Sequence, residues 1–75
     1  MDILLNFGEA LNKVKEGFSI QRLGWNGKGL KVKAQFPDEH SKMSLPYLYI
    51  EYPNGNRVPW VPSITDVFGE DWLAD

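Results

Sequence analysis

The segment YLYIEYPNGNRVPW, residues 47–60, constrains the fold more than any other stretch of this sequence. Its first half is rich in aromatic and β-branched residues, which favour a strand. Pro53, Asn54 and Gly55 then suit the successive positions of a three-residue hairpin loop, a type I turn followed by a left-handed residue. This loop predicts two antiparallel strands in a register that places Glu51 opposite Arg57.

The same register also pairs apolar residues with each other. It sets Ile50 opposite Val58 and Leu48 opposite Trp60. Because Pro59 has no N–H to donate to a ladder, we expect its strand at a sheet edge, or with that side unpaired.

A helical period marks residues 6–17, NFGEALNKVKEG. Apolar side chains recur at i, i+3, i+4 and i+7, namely at Phe7, Ala10, Leu11 and Val14. Asn6 suits the N-cap, and Glu9 can complete a capping box with it. Gly17 predicts the end of the helix in the left-handed conformation.

Alternating patterns predict two further strands, joined by a glycine-rich loop. They are FSIQRL at 18–23, with Phe18 and Ile20 inward, and LKVKAQF at 30–36, with Phe36 among its inward residues. Residues 37–46 read as a polar loop.

The end of the chain predicts a short helical turn and one more short strand. Ser63 or Thr65 can cap the turn, Asp66 suits its N-terminal end, and Gly69 stops it. DWLA at 71–74 supplies the strand. The fold class is therefore α+β: a small, mostly antiparallel sheet with one N-terminal amphipathic helix and a short C-terminal helical turn, in a single domain 1–75.

Chain length limits the core and favours self-association. A chain of 75 residues buries a thin core. Without cysteine it has no disulfide or thiolate metal site, so oligomerisation is the stabilising device left to it. No apolar run approaches the roughly 20 residues of a membrane span, and MDILLNF is too short and acidic for a signal peptide. We therefore expect a cytoplasmic protein with no membrane partner.

The net charge of −2 argues against broad DNA binding, but the charge is unevenly placed. Residues 17–37 carry four cations and no acid, whereas residues 38–75 carry a net charge of −5. Such a basic middle suits a small anion, or it is a solvated strand face.

The residues offer no set for catalysis, so we expect neither an enzyme nor a cofactor. The chain has no Cys nucleophile, and its one histidine, His40, lies beside Asp38 and Glu39 in a polar stretch that favours a solvated loop over a metal site. Glu70 and Asp71 are chain neighbours, which do not face each other on a helix or strand.

Binding is better supported, because ten of the 75 residues are aromatic. Trp25 lies in the glycine-rich segment RLGWNGKG, where it must rest on the core, a neighbouring subunit or a ligand. Asn26 beside it offers a donor and an acceptor, and Arg22 and Lys28 supply positive charge. An aromatic plane, an amide and two cations suit a nucleotide, with the base on the ring and phosphate on the cations. For Trp72, the pattern favours a core position.

Two long segments resemble a family of small phage and prophage proteins, first grouped as a domain of unknown function, that includes the second type of Thoeris anti-defence protein. They are NFGEALNKVKEGFSIQRLGWNGKG and LPYLYIEYPNGNRVPWVPSITDVFGEDW. The resemblance covers about residues 6–73, in the same order of motifs.

The resemblance implies a function as well as a fold. In Thoeris immunity, a sensor with a TIR domain makes a cyclic ADP-ribose isomer that activates a cell-killing effector. The anti-defence protein sequesters that signal without cleaving it, and some members take up cyclic oligonucleotides. Members are typically homotetramers with pockets between protomers. The resemblance thus implies a cyclic nucleotide partner in the host cytoplasm.

Carried onto this sequence, the family motifs assign most of a candidate ligand site. The Arg-x-Gly-Trp-Asn segment gives Arg22, Trp25, Asn26 and Lys28, the Pro-Trp strand gives Trp60, and the turn gives Ser63, Thr65 and Asp66. Tyr49 joins them from its place on the aromatic strand. Two alternatives stay open: a module that inhibits a host protein through its aromatic face, and an enzyme acting on a nucleotide.

Overall fold

The computed structural model describes residues 4–25 and 29–75, which form an α+β fold. Five strands make one antiparallel sheet in the order β4-β3-β2-β1-β5. In chain order the elements are α1 (Phe7–Lys15), β1 (Ile20–Arg22), a 3₁₀ turn (Leu23–Trp25), β2 (Lys31–Gln35), β3 (Tyr47–Glu51), β4 (Arg57–Pro59), α2 (Ile64–Phe68) and β5 (Trp72–Ala74).

The β3–β4 hairpin has the register that the sequence predicts. Glu51 lies opposite Arg57, and Trp60 N–H donates to the carbonyl of Leu48 at 2.9 Å. Gly55 has φ +90°, the left-handed conformation that this three-residue loop requires. Strand β4 is an edge strand, as Pro59 predicts.

The predicted caps of α1 are both present. The Asn6 side chain accepts from Glu9 N–H at 2.8 Å, and the Glu9 side chain accepts from Asn6 N–H at 3.0 Å. At the other end Gly17 has φ +103°, and Phe18 N–H donates to the carbonyl of Lys13 at 3.1 Å. This is a Schellman motif, which satisfies carbonyls that the helix leaves open.

Helix α1 covers one face of the sheet, hereafter the core face. Ala10 and Val14 of the helix are buried there against side chains of the sheet. The buried hydrophobic side chains are Ala10, Val14, Ile20, Val32, Ile50 and Trp72. The residues that alternate with these on the strands form the opposite face, hereafter the open face.

Two phenylalanines predicted to point inward are instead exposed. Phe18 is 42% exposed, because its N–H belongs to the helix cap and β1 begins only at Ile20. Lys13 Nζ lies 5.3 Å from the Phe18 ring centroid. Phe36 is 51% exposed, because β2 ends at Gln35 and the side chain lies beyond the strand. Both strands are therefore shorter than the alternating pattern predicts, and Ser19, which the pattern places outward, is buried.

The last strand, β5, is predicted correctly and adds to the outer side of β1. Its register places Arg22 opposite Trp72 and Gln21 opposite Leu73. Leu5, just before α1, forms a bridge to Trp72. The chain reaches β5 from β4, at the other edge of the sheet, through the segment that contains α2.

Candidate functional site

Three tryptophans from distant parts of the sequence meet at one end of the core face. Trp25 ends the 3₁₀ turn after β1, Trp60 follows β4, and Trp72 begins β5. Their ring centroids lie 5.6 Å (Trp25–Trp72), 6.2 Å (Trp60–Trp72) and 6.4 Å (Trp25–Trp60) apart, all edge to face. We call this group the tryptophan cluster.

The three rings differ in exposure: one is fully buried in the core, and the other two keep part of their surface open to solvent. Trp72 is 0% exposed, as predicted for a core side chain. Trp25 and Trp60 are half-buried and pack against the core. Trp25 therefore rests on protein through its edge contacts, worth about 0.5–1.5 kcal/mol per aromatic pair beyond area burial, while part of its surface still faces solvent.

Arg22 lies beside the tryptophan cluster and binds two carboxylates. Its Nε donates to Asp71 Oδ1 at 2.9 Å, and its Nη1 donates to Asp66 Oδ1 at 3.1 Å. Asp71 Oδ2 also accepts from Gly24 N–H at 3.2 Å. We call Arg22, Asp66 and Asp71 the arginine clamp. The clamp joins the end of β1 to the first turn of α2, through Asp66, and to the residue just before β5, Asp71.

Asp66 caps α2, the structural task that its sequence context predicts. Asp66 Oδ2 accepts from Ser63 N–H and from the Ser63 hydroxyl, each at 2.9 Å. Ser63 Oγ in turn accepts from Asp66 N–H at 3.2 Å. The Asp66 carbonyl accepts from Trp72 Nε1–H at 3.0 Å, which ties the cap to the tryptophan cluster.

Two exposed hydroxyls lie at the start of α2. Thr65 Oγ1 is 2.9 Å from Ser63 Oγ. Ser63 has one hydroxyl proton, which it gives to Asp66 in the capping geometry, so Thr65 acts as the donor in the Ser63–Thr65 pair. The Thr65 oxygen then keeps lone pairs for a group in solvent.

The clamp keeps both of its carboxyl groups ionised. Burial by itself would raise the pKa of Asp66, but hydrogen bonds from Ser63 and then from Arg22 outweigh it, so that pKa is lowered. For Asp71, burial again opposes ionisation, and hydrogen bonds from Arg22 and from Gly24 N–H lower its pKa. The clamp carries two negative charges and one positive charge.

The basic middle of the sequence is folded against acids from the second half of the chain. Lys33 Nζ lies 3.4 Å from Glu51 Oε2, and Lys31 Nζ lies 3.8 Å from Asp75 Oδ2. With Arg22 in its clamp, each described cation of this segment has a carboxylate partner. The described cations of residues 17–37 and the acids of the second half of the chain, which are separated in the sequence, therefore pair with each other in the fold.

The structure brings six of the predicted site residues to one region and leaves one elsewhere. Those together are Arg22, Trp25, Trp60, Ser63, Thr65 and Asp66. Tyr49 lies on the open face, since it alternates with buried Ile50 and lies opposite Lys33 and Pro59. There it lines a shallow cleft of about 240 Å³ with Arg57 and others. Asn26 and Lys28 lie outside the described residues.

Sequence reasoning missed Asp71 as part of this region. Asp71 is 49 positions from Arg22, and the contact depends on β1 pairing with β5. The only signal was its place in the closing Glu-Asp-Trp motif. His40 and Glu39 are both strongly exposed, as expected of a solvated loop. Among the residues that the structure places, no three His, Asp or Glu side chains gather as a metal site.

Comparison with known proteins places the chain in a family. A sequence model of the Thoeris anti-defense 2-like domain matches residues 5–74. The chain belongs to the Thoeris anti-defense 2-like family. It is also 35% identical, over 86 aligned positions, to Thoeris anti-defense 2 of Bacillus phage SP01, covering 96% of both chains.

Family membership confirms the resemblance seen in the sequence and supports an anti-defence role against Thoeris. All residues of the tryptophan cluster and of the arginine clamp lie within the part of the chain that the family model matches. Within residues 4–25 and 29–75, no helix is long and apolar enough to cross a membrane.

Proposed function

We propose that this protein blocks Thoeris immunity by binding a cyclic ADP-ribose isomer and holding it without cleavage, in the cytoplasm of the infected host. The observation that carries the proposal is family membership over nearly the whole chain. The geometry of the tryptophan cluster supports it.

A cyclic ADP-ribose isomer presents a purine, two riboses and a diphosphate. The half-buried rings of Trp25 and Trp60 offer aromatic surface for the purine, since base stacking is worth about 1–3 kcal/mol. The exposed hydroxyl of Thr65 suits a ribose. Asn26 follows Trp25 directly and Lys28 lies two residues further on, and both are proposed to complete the site. A ribose contact by Asp66 stays a prediction, because its oxygens already accept from Arg22 and Ser63.

An apolar stripe on α2 supports the second part of the proposal, a homotetramer with ligand pockets between protomers. Ile64 and Phe68 are 78% and 79% exposed, and they lie one helical turn apart on the same side of α2. Val61, just before the helix, is exposed as well. Pairing these stripes about a twofold axis would bury them beside the tryptophan cluster. Tyr49, on the open face, can then reach a ligand only from a neighbouring protomer.

Titration of the protein with cyclic ADP-ribose isomers, followed by heat denaturation and chromatography of the released ligand, tests sequestration. We expect binding, and recovery of the ligand unchanged. Conversion to product would instead support an enzyme. If no isomer binds, and light scattering gives a monomer, the exposed apolar stripe favours a module that inhibits a host protein.

Trp25→Ala is the variant that tests the site. Loss of stacking predicts an affinity at least about tenfold lower per folded molecule. Phe18→Ala is the matched control, because Phe18 is an exposed aromatic side chain just beyond the C-terminal cap of α1. Equal losses of affinity in the two variants would argue against the tryptophan cluster as the site.

A further inference from the structure

We propose that Arg22 is a positioning residue, which sets the turn of Trp25 against the start of α2, and that it is not a phosphate ligand. The inference rests on the proposed function only where ligand affinity is measured. Its structural part concerns how two halves of one surface are held together.

The first argument is the chain of contacts through the guanidinium. Each of the two carboxylates accepts from Arg22 through one oxygen and from a backbone N–H of another segment through the other oxygen. Asp71 holds Gly24 N–H at 3.2 Å, in the turn that ends in Trp25. Asp66 holds Ser63 N–H at 2.9 Å, at the start of α2. The path therefore runs from Gly24 to Ser63 through Arg22.

The second argument is that the guanidinium lies in a closely fitted slot. Its Cζ lies 6.0 Å from the Trp72 ring centroid. Gly69 approaches it so closely that a Cβ at that position would be 2.8 Å from Nη2. Gly69 has φ −67°, so a side chain here would be disfavoured by contact with the guanidinium and not by backbone conformation. A planar fork with several fixed donors fits this slot, and a lysine ammonium does not reproduce it.

The third argument is electrostatic. Two ionised carboxylates surround one cation, so the arginine clamp has a net charge of −1. A phosphate that approached Arg22 would meet this net negative charge, and two of the guanidinium N–H groups already donate to Asp71 and Asp66. Positive charge for a diphosphate is then expected from another cation, and Lys28 lies three residues after Trp25 in the sequence.

Arg22→Lys tests the structural part without any ligand. The indole N–H signals of Trp25, Trp60 and Trp72 are followed in ¹H–¹⁵N spectra of the ¹⁵N-labelled protein. We expect the Trp25 and Trp72 signals to shift, because lysine keeps the positive charge but not the planar set of N–H donors that binds both carboxylates. Arg57→Lys is the matched control, since it alters an arginine–carboxylate contact on the open face, and it should leave all three signals in place.

A double-mutant cycle on affinity separates positioning from direct contact. The cycle combines Arg22→Lys with Thr65→Val, and cyclic ADP-ribose isomers are the probe. If Arg22 acts by placing Thr65, the roughly tenfold loss expected from Thr65→Val shrinks in the Arg22→Lys background. If Arg22 contacts phosphate independently, the two losses add. Affinity is expressed per folded molecule, so lower stability alone moves neither result.

Two results would overturn the inference: unchanged Trp25 and Trp72 signals in Arg22→Lys, or additive losses in the cycle. If Arg22→Lys does not fold, Asp71→Asn takes its place, since its amide oxygen can still accept from Gly24 N–H while the negatively charged partner of Arg22 Nε is lost. If the parent protein binds no isomer, the proposed function fails, and the indole signals alone decide the role of Arg22.

Discussion

Arg22 and Arg57 make similar contacts on opposite faces of the sheet. Nε of Arg22 lies 2.9 Å from Asp71 on the core face, and Nε of Arg57 lies 2.8 Å from Glu51 on the open face. The surroundings differ, since the side chain of Arg22 is 21% exposed and that of Arg57 is 66% exposed. Arg22 also has a second carboxylate and the ring of Trp72 beside it.

Similar donor–acceptor distances do not imply that two ion pairs contribute equally to folding stability. On the open face, water competes for both partners and the arginine keeps its conformational freedom, so such a pair contributes little. On the core face, removal of Arg22 would leave two partly buried carboxylates facing each other. We therefore expect the two faces to respond differently to equivalent changes.

The largest difference is expected for aromatic truncation. Trp72→Ala should lower the free energy of unfolding by about 3–5 kcal/mol, a large share of the stability of so small a chain. Tyr49→Ala, on the open face, is the comparison and should cost far less. Urea denaturation followed by circular dichroism measures both. Similar losses would mean that the open face is also packed, for example against another protomer.

The next largest difference in stability is expected between alanine variants of the two arginines. Arg22→Ala should destabilise the fold by about 2 kcal/mol, because charged hydrogen bonds are lost and their acceptors are left close together. Arg57→Ala should leave the melting temperature almost unchanged. Thermal melts of the two variants, run in the same buffer, make the comparison. A drop for Arg57→Ala as large as that for Arg22→Ala would refute it.

A smaller effect should appear in acid. The pKa values of Asp66 and Asp71 are lowered in the folded protein, so their contribution to stability is complete above the unfolded-state pKa and is lost as pH falls through the folded-state values. Stability should therefore begin to fall below about pH 5. Arg22→Ala should weaken this dependence, because an interaction that lowers both pKa values is gone. An identical pH profile in parent and variant would contradict the clamp.

The smallest effect is expected for ligand affinity on the open face. Tyr49→Ala should weaken binding of a cyclic ADP-ribose isomer less than Trp25→Ala does, because within one protomer Tyr49 lies across the sheet from the tryptophan cluster. Calorimetric titration of the two variants measures this. A larger loss for Tyr49→Ala would place the main ligand contact on the open face, and not at the tryptophan cluster.

Local features of this fold could be predicted from the sequence because their causes are local. The hairpin register follows from three loop residues, and the limits of α1 follow from Asn6, Glu9 and Gly17. Strand ends were less certain: Phe18 and Phe36 fit the alternation but lie outside the strands, because a helix cap and a strand end intervene. Periodicity reports which face a residue would take, and not where pairing stops.

The candidate site was only partly within reach of the sequence. Sequence motifs point to Trp25, Trp60 and the capping residues of α2. Nothing local indicates that Trp25 contacts Trp72, or that Arg22 binds Asp71. Those contacts exist because β5 pairs with β1, across nearly fifty residues of chain. Local residue patterns account for the first helix, the turns and the composition of the surface. Which charges and rings meet depends on strand order, and no local propensity encodes strand order.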